Sequence, residues 1–201
     1  MYLNQKKKIL FNHIPKTAGT SILFQLGKNN EHWDIFMGMH VVYSQVYDKH
    51  PDIYEDLKLN WAKFTTVRNP WDHAVSYYFH IIDNSRFERE RKFMPKEDYH
   101  SFERFLESHV FTQEHYTFQC RYFINDYWIQ YENMKEGFDL ICNKAGYPEQ
   151  ELPLHNKTQT SNNNYGYLYP NDYREMYTND RMIDLVYEKS KTLVNKFGYN
   201  F

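Results

Sequence analysis

Three groups of residues in this 201-residue chain have the types and spacing to act on an anion. The first is Pro15-Lys16-Thr17-Ala18-Gly19-Thr20-Ser21, set between the apolar runs Ile9-Leu10-Phe11 and Ile22-Leu23-Phe24. A strand, a tight loop and a helix are expected there. Backbone N–H groups at a helix start, with the positive end of its dipole, attract an anion. Gly19 permits close approach, Lys16 supplies charge, and Thr17, Thr20 and Ser21 add hydroxyl donors. The ATP-binding pattern G-x-x-x-x-G-K-[ST] puts its lysine after the glycines. Here Lys16 precedes Gly19 and the first glycine is absent. Taken alone, the same residues also suit a plain strand-to-helix turn capped by Thr or Ser.

The second group is Arg68 and Ser76, eight positions apart, one ending an expected strand and the other two turns into the next helix. A forked, charge-assisted arginine bond and a serine hydroxyl suit a second phosphate. An arginine before Asn69-Pro70 can equally bond a helix end or a carboxylate. The third is His40, following Gly38-Met39, because an imidazole accepts a proton near neutral pH. His13, His73 and His80 are lesser candidates, and no H-E-x-x-H or comparable ligand set points to a metal.

Strands are expected at 8–13, 34–38, 63–68 and 126–131, with helical patterns between them. Such alternation predicts an α/β fold, a three-layer P-loop-like arrangement with a central parallel sheet flanked by helices, in one domain spanning 1–201. Ligands of open parallel sheets bind beyond the carboxyl ends of the strands. All three groups fall on that edge. The clearest helix starts at Pro70, with Trp71, Ala74, Val75, Tyr78, Phe79 and Ile82 at helical spacing. His73, Ser76, His80 and Asp83 fall on another face. Residues 84–100 and 156–172 read as loops or lids, and two closing helical segments follow near 171–178 and 180–197.

PKTAGTS, followed about fifty residues later by VRNPWDHAVSYY, resembles the sulfotransferases that use 3′-phosphoadenosine 5′-phosphosulfate. The likeness is closest to the branch holding carbohydrate 2-O-sulfotransferases and their bacterial relatives. Trp128-Ile129-Gln130-Tyr131-Glu132-Asn133-Met134 is similar to the family's Y-E-x-M segment. Leu152 to Thr158 resembles its late nucleotide-closing loop, and Lys196-Phe197-Gly198-Tyr199 its final F-G-Y. The resemblance implies that Lys16, Thr17, Ala18, Gly19, Thr20 and Ser21 surround the 5′-phosphosulfate. It assigns Arg68 and Ser76 to the 3′-phosphate, Asn156 and Lys157 to the nucleotide lid, and a structural role to Glu132. Met37-Gly38-Met39-His40-Val41 resembles the segment carrying the catalytic histidine, which makes His40 the base and Lys16 the group opposite the leaving oxygen. That branch has a second histidine where this chain has Gly38. The implied acceptor is a hydroxyl of a carbohydrate or other small molecule, and the implied product is adenosine 3′,5′-bisphosphate.

The formal net charge of -2 argues against wholesale binding of nucleic acid. No run approaches the ~20 apolar residues of a membrane span, and no apolar signal core precedes the first strand. A cytoplasmic protein, with no membrane partner, is expected. Cys120 and Cys142 form no C-x-x-C motif and read as ordinary thiols. Two other functions are compatible with the residues alone: a P-loop kinase of small molecules, and a silent module that binds a nucleotide or a glycan. The sulfotransferase reading predicts that adenosine 3′,5′-bisphosphate raises the melting temperature more than ADP with magnesium does. Ligand at about 100 times its dissociation constant adds about 2.7 kcal/mol, and a preference for ADP in that comparison would sink the reading.

Overall fold

The computed structural model describes residues 1–28, 32–36, 43–83, 101–108, 125–148, 150–152 and 169–201. The chain divides into two compact units, one of residues 1–68 and 121–156 and the other of residues 69–120 and 157–201.

The first unit is built on a five-stranded sheet in the order β3-β1-β2-β4-β5. Its strands are β1 (Tyr2–Asn4), β2 (Ile9–Asn12), β3 (Asp34–Ile35), β4 (Ala62–Val67) and β5 (Tyr127–Gln130). β2, β4 and β5 pair in parallel, as expected, whereas β1 runs antiparallel to both β2 and β3. The sheet is therefore mixed, which corrects the expectation of a wholly parallel one. The physical reason lies in the first residues. Tyr2-Leu3-Asn4 is too short to show a period, and Gln5 to Lys8 turn the chain back into β2. Asn4 holds that turn by accepting from the Lys7 N–H at 3.0 Å, and Lys8 takes a left-handed φ of 52°.

The continuous apolar run of β2 is buried along its whole length, the pattern of a strand covered on both faces. On one face Ile9 and Phe11 join Phe64 and Ile129 under the helices α1 (Gly19–Gly27) and, further along, residues Met134–Ala145. Phe11 and Phe64 stack at 4.8 Å. On the other, Leu10 joins Leu3, Val46 and Leu57, the last two from α2 (Tyr43–Lys49) and α3 (Pro51–Asn60). At the strand starts the buried Lys63 is satisfied by the carbonyls of Lys58 and Trp61, at 2.9 and 2.7 Å, and by Asp126 at 3.1 Å.

The second unit centres on α4 (Pro70–Asp83), which starts at the expected proline. It packs with α5 (Phe102–Glu107), a 3-10 turn at Tyr173–Met176 and α7 (Asp180–Phe197), with Met134–Ala145 counted as α6. Asn69 caps α4 by accepting from the Trp71 N–H at 3.0 Å, and its amide donates to the Asn200 carbonyl at 2.9 Å. Tyr78 lies 5.3 Å from both Phe102 and Phe105, and Phe201 meets Trp71 and Tyr177 edge-on. The expected apolar stripe is buried, but so are His73 and Ser76 on the other side, so α4 is covered nearly all round. The expected loop at 84–100 and most of that at 156–172 lie outside the described residues.

Helix α6 approaches β5 closely. A Cβ on Gly137 would overlap the Ile129 side chain, so glycine is needed there for packing rather than for backbone freedom. In an open helix Gly→Ala stabilises by about 0.5–1 kcal/mol. Gly137→Ala is expected to destabilise instead, by about 1–3 kcal/mol through overpacking, and the sign is read from denaturant unfolding.

Candidate functional site

The carboxyl edge of the first unit gathers three chain segments. β2 ends at Asn12 and leads through His13 and Ile14 into the turn Pro15–Ala18; β4 ends at Val67 and is followed by Arg68; β5 ends at Gln130 and is followed by Tyr131. Because these strands pair in parallel, Asn12 opposite Thr65 and Val67 opposite Gln130, the three ends lie in a row.

The turn has an unusual backbone. Lys16 and Ala18 both have positive φ, 64° and 63°, although neither is glycine. Left-handed backbone at such residues costs about 1–3 kcal/mol each and persists only where neighbours hold it. Two sets of contacts do so. The buried Thr17 hydroxyl donates to the Ile14 carbonyl at 2.7 Å and is hydrogen-bonded to the Thr66 hydroxyl of β4. Arg68 Nη1 donates to the Lys16 carbonyl at 3.2 Å. The Thr17 proton is thus committed inward, to the Ile14 carbonyl, and the hydroxyl shapes the loop.

Beyond the turn, α1 begins at Gly19 with Ala18 as its N-cap and no side-chain cap. The N–H groups of Ser21 and Ile22 fold back on the Ala18 carbonyl at 2.9 and 3.3 Å. Those of Gly19 and Thr20, the first of the helix, have no side-chain cap and no backbone acceptor among the described residues. No acidic residue stands in the first turn to oppose an anion. Alternating left-handed positions leading into an uncapped helix make a concave group of N–H donors. Gly19 is needed because a Cβ there would overlap the His13 ring, which stacks on Phe11 at 5.8 Å. Thr20 is exposed and Ser21 buried.

Arg68 is only 9% exposed, and its guanidinium carbon lies 4.3 Å from the centre of the Tyr131 ring. Ser76 stands on α4 in the second unit, 1% exposed, and its hydroxyl has no hydrogen-bond partner among the described residues. A helical serine ordinarily back-bonds or faces water. His40, Asn156 and Lys157 lie outside the described residues, as do Met37, Gly38 and the loop from Pro153 onward. Among the described residues no group of three His, Cys, Asp or Glu side chains could hold a metal ion, and no helix is long and apolar enough to cross a membrane. Two contributors were not assigned from sequence. Thr66 was visible as a hydroxyl inside an apolar strand two residues before Arg68, but the partner of Tyr131 depends on strand pairing.

In open α/β sheets, ligands bind beyond the carboxyl ends of the parallel strands, and a helix start attracts anions. The family model described as Sulfotransferase family matches residues 1–189, and the chain belongs to that family of enzymes, which use 3′-phosphoadenosine 5′-phosphosulfate. No curated protein and no solved structure matches the chain. Membership sets aside the kinase and the silent binding module.

The loop geometry predicts a contrast between its two threonines. Thr17→Val leaves the Ile14 carbonyl and the Thr66 hydroxyl without their partner and is expected to cost about 1–3 kcal/mol. Thr20→Val, at an exposed position, should stay within about 0.5 kcal/mol. Paired denaturant titrations of the two variants measure both.

Proposed function

We propose that this protein transfers a sulfuryl group from 3′-phosphoadenosine 5′-phosphosulfate to a hydroxyl of a carbohydrate or other small polar acceptor. The observation carrying the proposal is the uncapped start of α1 directly after the strained Lys16 turn, with Arg68 tied to that turn. The Gly19 and Thr20 N–H groups at the start of α1 also fit a phosphate of such a ligand. The donor supplies an activated sulfuryl group on a phosphate that leaves as an anion.

Each residue then has a definite task. The helix start, with Ser21, holds the 5′-phosphate still, and alignment of this sort supplies much of the barrier reduction in group transfer. Lys16 places a positive charge where negative charge grows on the leaving oxygen. Thr17 and Ala18 set the curve of the loop, and Gly19 lets the ligand approach. Motif position assigns Arg68 and Ser76 to the 3′-phosphate, with Asn156 and Lys157 closing over the nucleotide. His40 accepts the acceptor's proton. The three-layer P-loop-like arrangement is the framework we infer for this placement, with residues 1–201 as one domain. A family match that runs through both compact units supports the latter.

The reading is tested with labelled donor against a panel of sugar and small-molecule hydroxyls, using purified variants. His40→Ala should keep its stabilisation by adenosine 3′,5′-bisphosphate while losing about 10²–10⁴-fold in transfer, the usual worth of a positioned base. Lys16→Ala should lose both. Full turnover in His40→Ala removes that residue from the role of base, and unchanged turnover in Lys16→Ala removes the charge-stabilising role from the lysine.

A further inference from the structure

We infer that Tyr131 is a positioning residue for the donor site, acting through Arg68 on the backbone that carries Lys16. The inference rests on the functional reading above and extends it to a residue that the motif assignment left without a task.

The argument follows one chain of contacts within the first unit. Tyr131 stands immediately after β5, Arg68 immediately after β4, and Lys16 in the turn after β2, so parallel pairing lines them up along one edge. The Tyr131 ring carries the Arg68 guanidinium on its face, 4.3 Å from the ring centre. A planar, weakly hydrated cation is well suited to such stacking, and the attraction is stronger where water is scarce. Arg68 is only 9% exposed, so protein groups rather than solvent set its direction. Its Nη1 then reaches the Lys16 carbonyl at 3.2 Å.

That carbonyl belongs to the peptide plane joining Lys16 to Thr17. In a trans peptide the N–H points opposite to the C=O, so holding the oxygen toward Arg68 turns the Thr17 N–H away from it. The same bond limits ψ at Lys16, whose φ of 64° is already costly. The Tyr131 ring therefore restrains one plane of the turn that presents Lys16. Replacing the ring by an aliphatic group of similar bulk removes the stacking surface while keeping the volume.

The test compares full-length Tyr131→Leu and Tyr131→Phe with wild type. Two quantities are read: the dissociation constant of adenosine 3′,5′-bisphosphate by calorimetry, and the Thr17 amide resonance of the ligand-free protein by NMR. Tyr131→Leu is expected to weaken the bisphosphate about tenfold, the scale of a buried cation–π contact, and to shift the Thr17 resonance. Tyr131→Phe, which keeps the ring, should bind within about twofold of wild type and leave that resonance in place. Should Tyr131→Leu fail to fold, Arg68→Lys keeps a charge but loses the planar stack, and it should move the Thr17 resonance. The inference is overturned if the Thr17 amide is unmoved in Tyr131→Leu, or in Arg68→Lys where that stands in. It is also overturned if Tyr131→Phe is as impaired as Tyr131→Leu. A wild-type protein that does not bind the bisphosphate defeats the functional reading, and the Thr17 resonance then still decides the contact chain by itself.

Discussion

Parallel pairing of β2 with β4 is the constraint on which the rest depends. With Asn12 opposite Thr65, the Thr65 hydroxyl donates to the Asn12 carbonyl at 2.7 Å and the next residue, Thr66, meets Thr17. Two residues further on, Arg68 is delivered to the Lys16 carbonyl. A slip of one residue would exchange the faces of every side chain on the strand. Phe64 would leave Phe11, and Thr66 would leave the loop. Core packing and loop shape are thus read from one register. The apolar stacking of Phe11 on Phe64 pins a polar arrangement that has little apolar surface of its own.

Much of this was legible in the residues. The buried run of β2, the lysine-bearing turn and the helix starting at Pro70 follow from local pattern and lie where expected, and the strand expected at 63–68 runs Ala62–Val67. β1 was not legible, because three residues carry no period and the turn after it, Gln5 to Lys8, holds no glycine or proline to mark it. Nor was the inward role of Thr17. A hydroxyl beside a lysine shows no inward hydrogen bond until the strand that supplies its partner is placed next to it. Composition could locate Arg68 at the site but not reveal that it rests on Tyr131, since the two are 63 positions apart and meet only through the pairing of β4 with β5.

The second unit is organised differently, around aromatic rings and a single polar anchor. Asn69 serves two elements at once, capping α4 with its oxygen and holding the Asn200 carbonyl with its nitrogen. The middle residue of the R-N-P stretch thus ties a helix start to a segment far along the sequence. Trp71 and Tyr177 add to this junction, the indole donating to the Ile183 carbonyl at 3.1 Å and the phenol to the Trp71 carbonyl at 2.9 Å. In the first unit, by contrast, burial isolates rather than binds. It pushes the Cys142 thiol up to about 11, helped by the nearby Asp139 charge, which keeps that sulfur unreactive at neutral pH.

The turn before α1, Pro15–Ala18, holds no glycine, and its two left-handed positions are filled by lysine and alanine. Glycine there would let the backbone wander among several shapes before a ligand arrives. Lysine and alanine narrow the choice, and the folding of the sheet meets the conformational cost in advance. Whatever the turn binds then has little of its backbone left to order, and preorganisation of that kind lowers the cost of association.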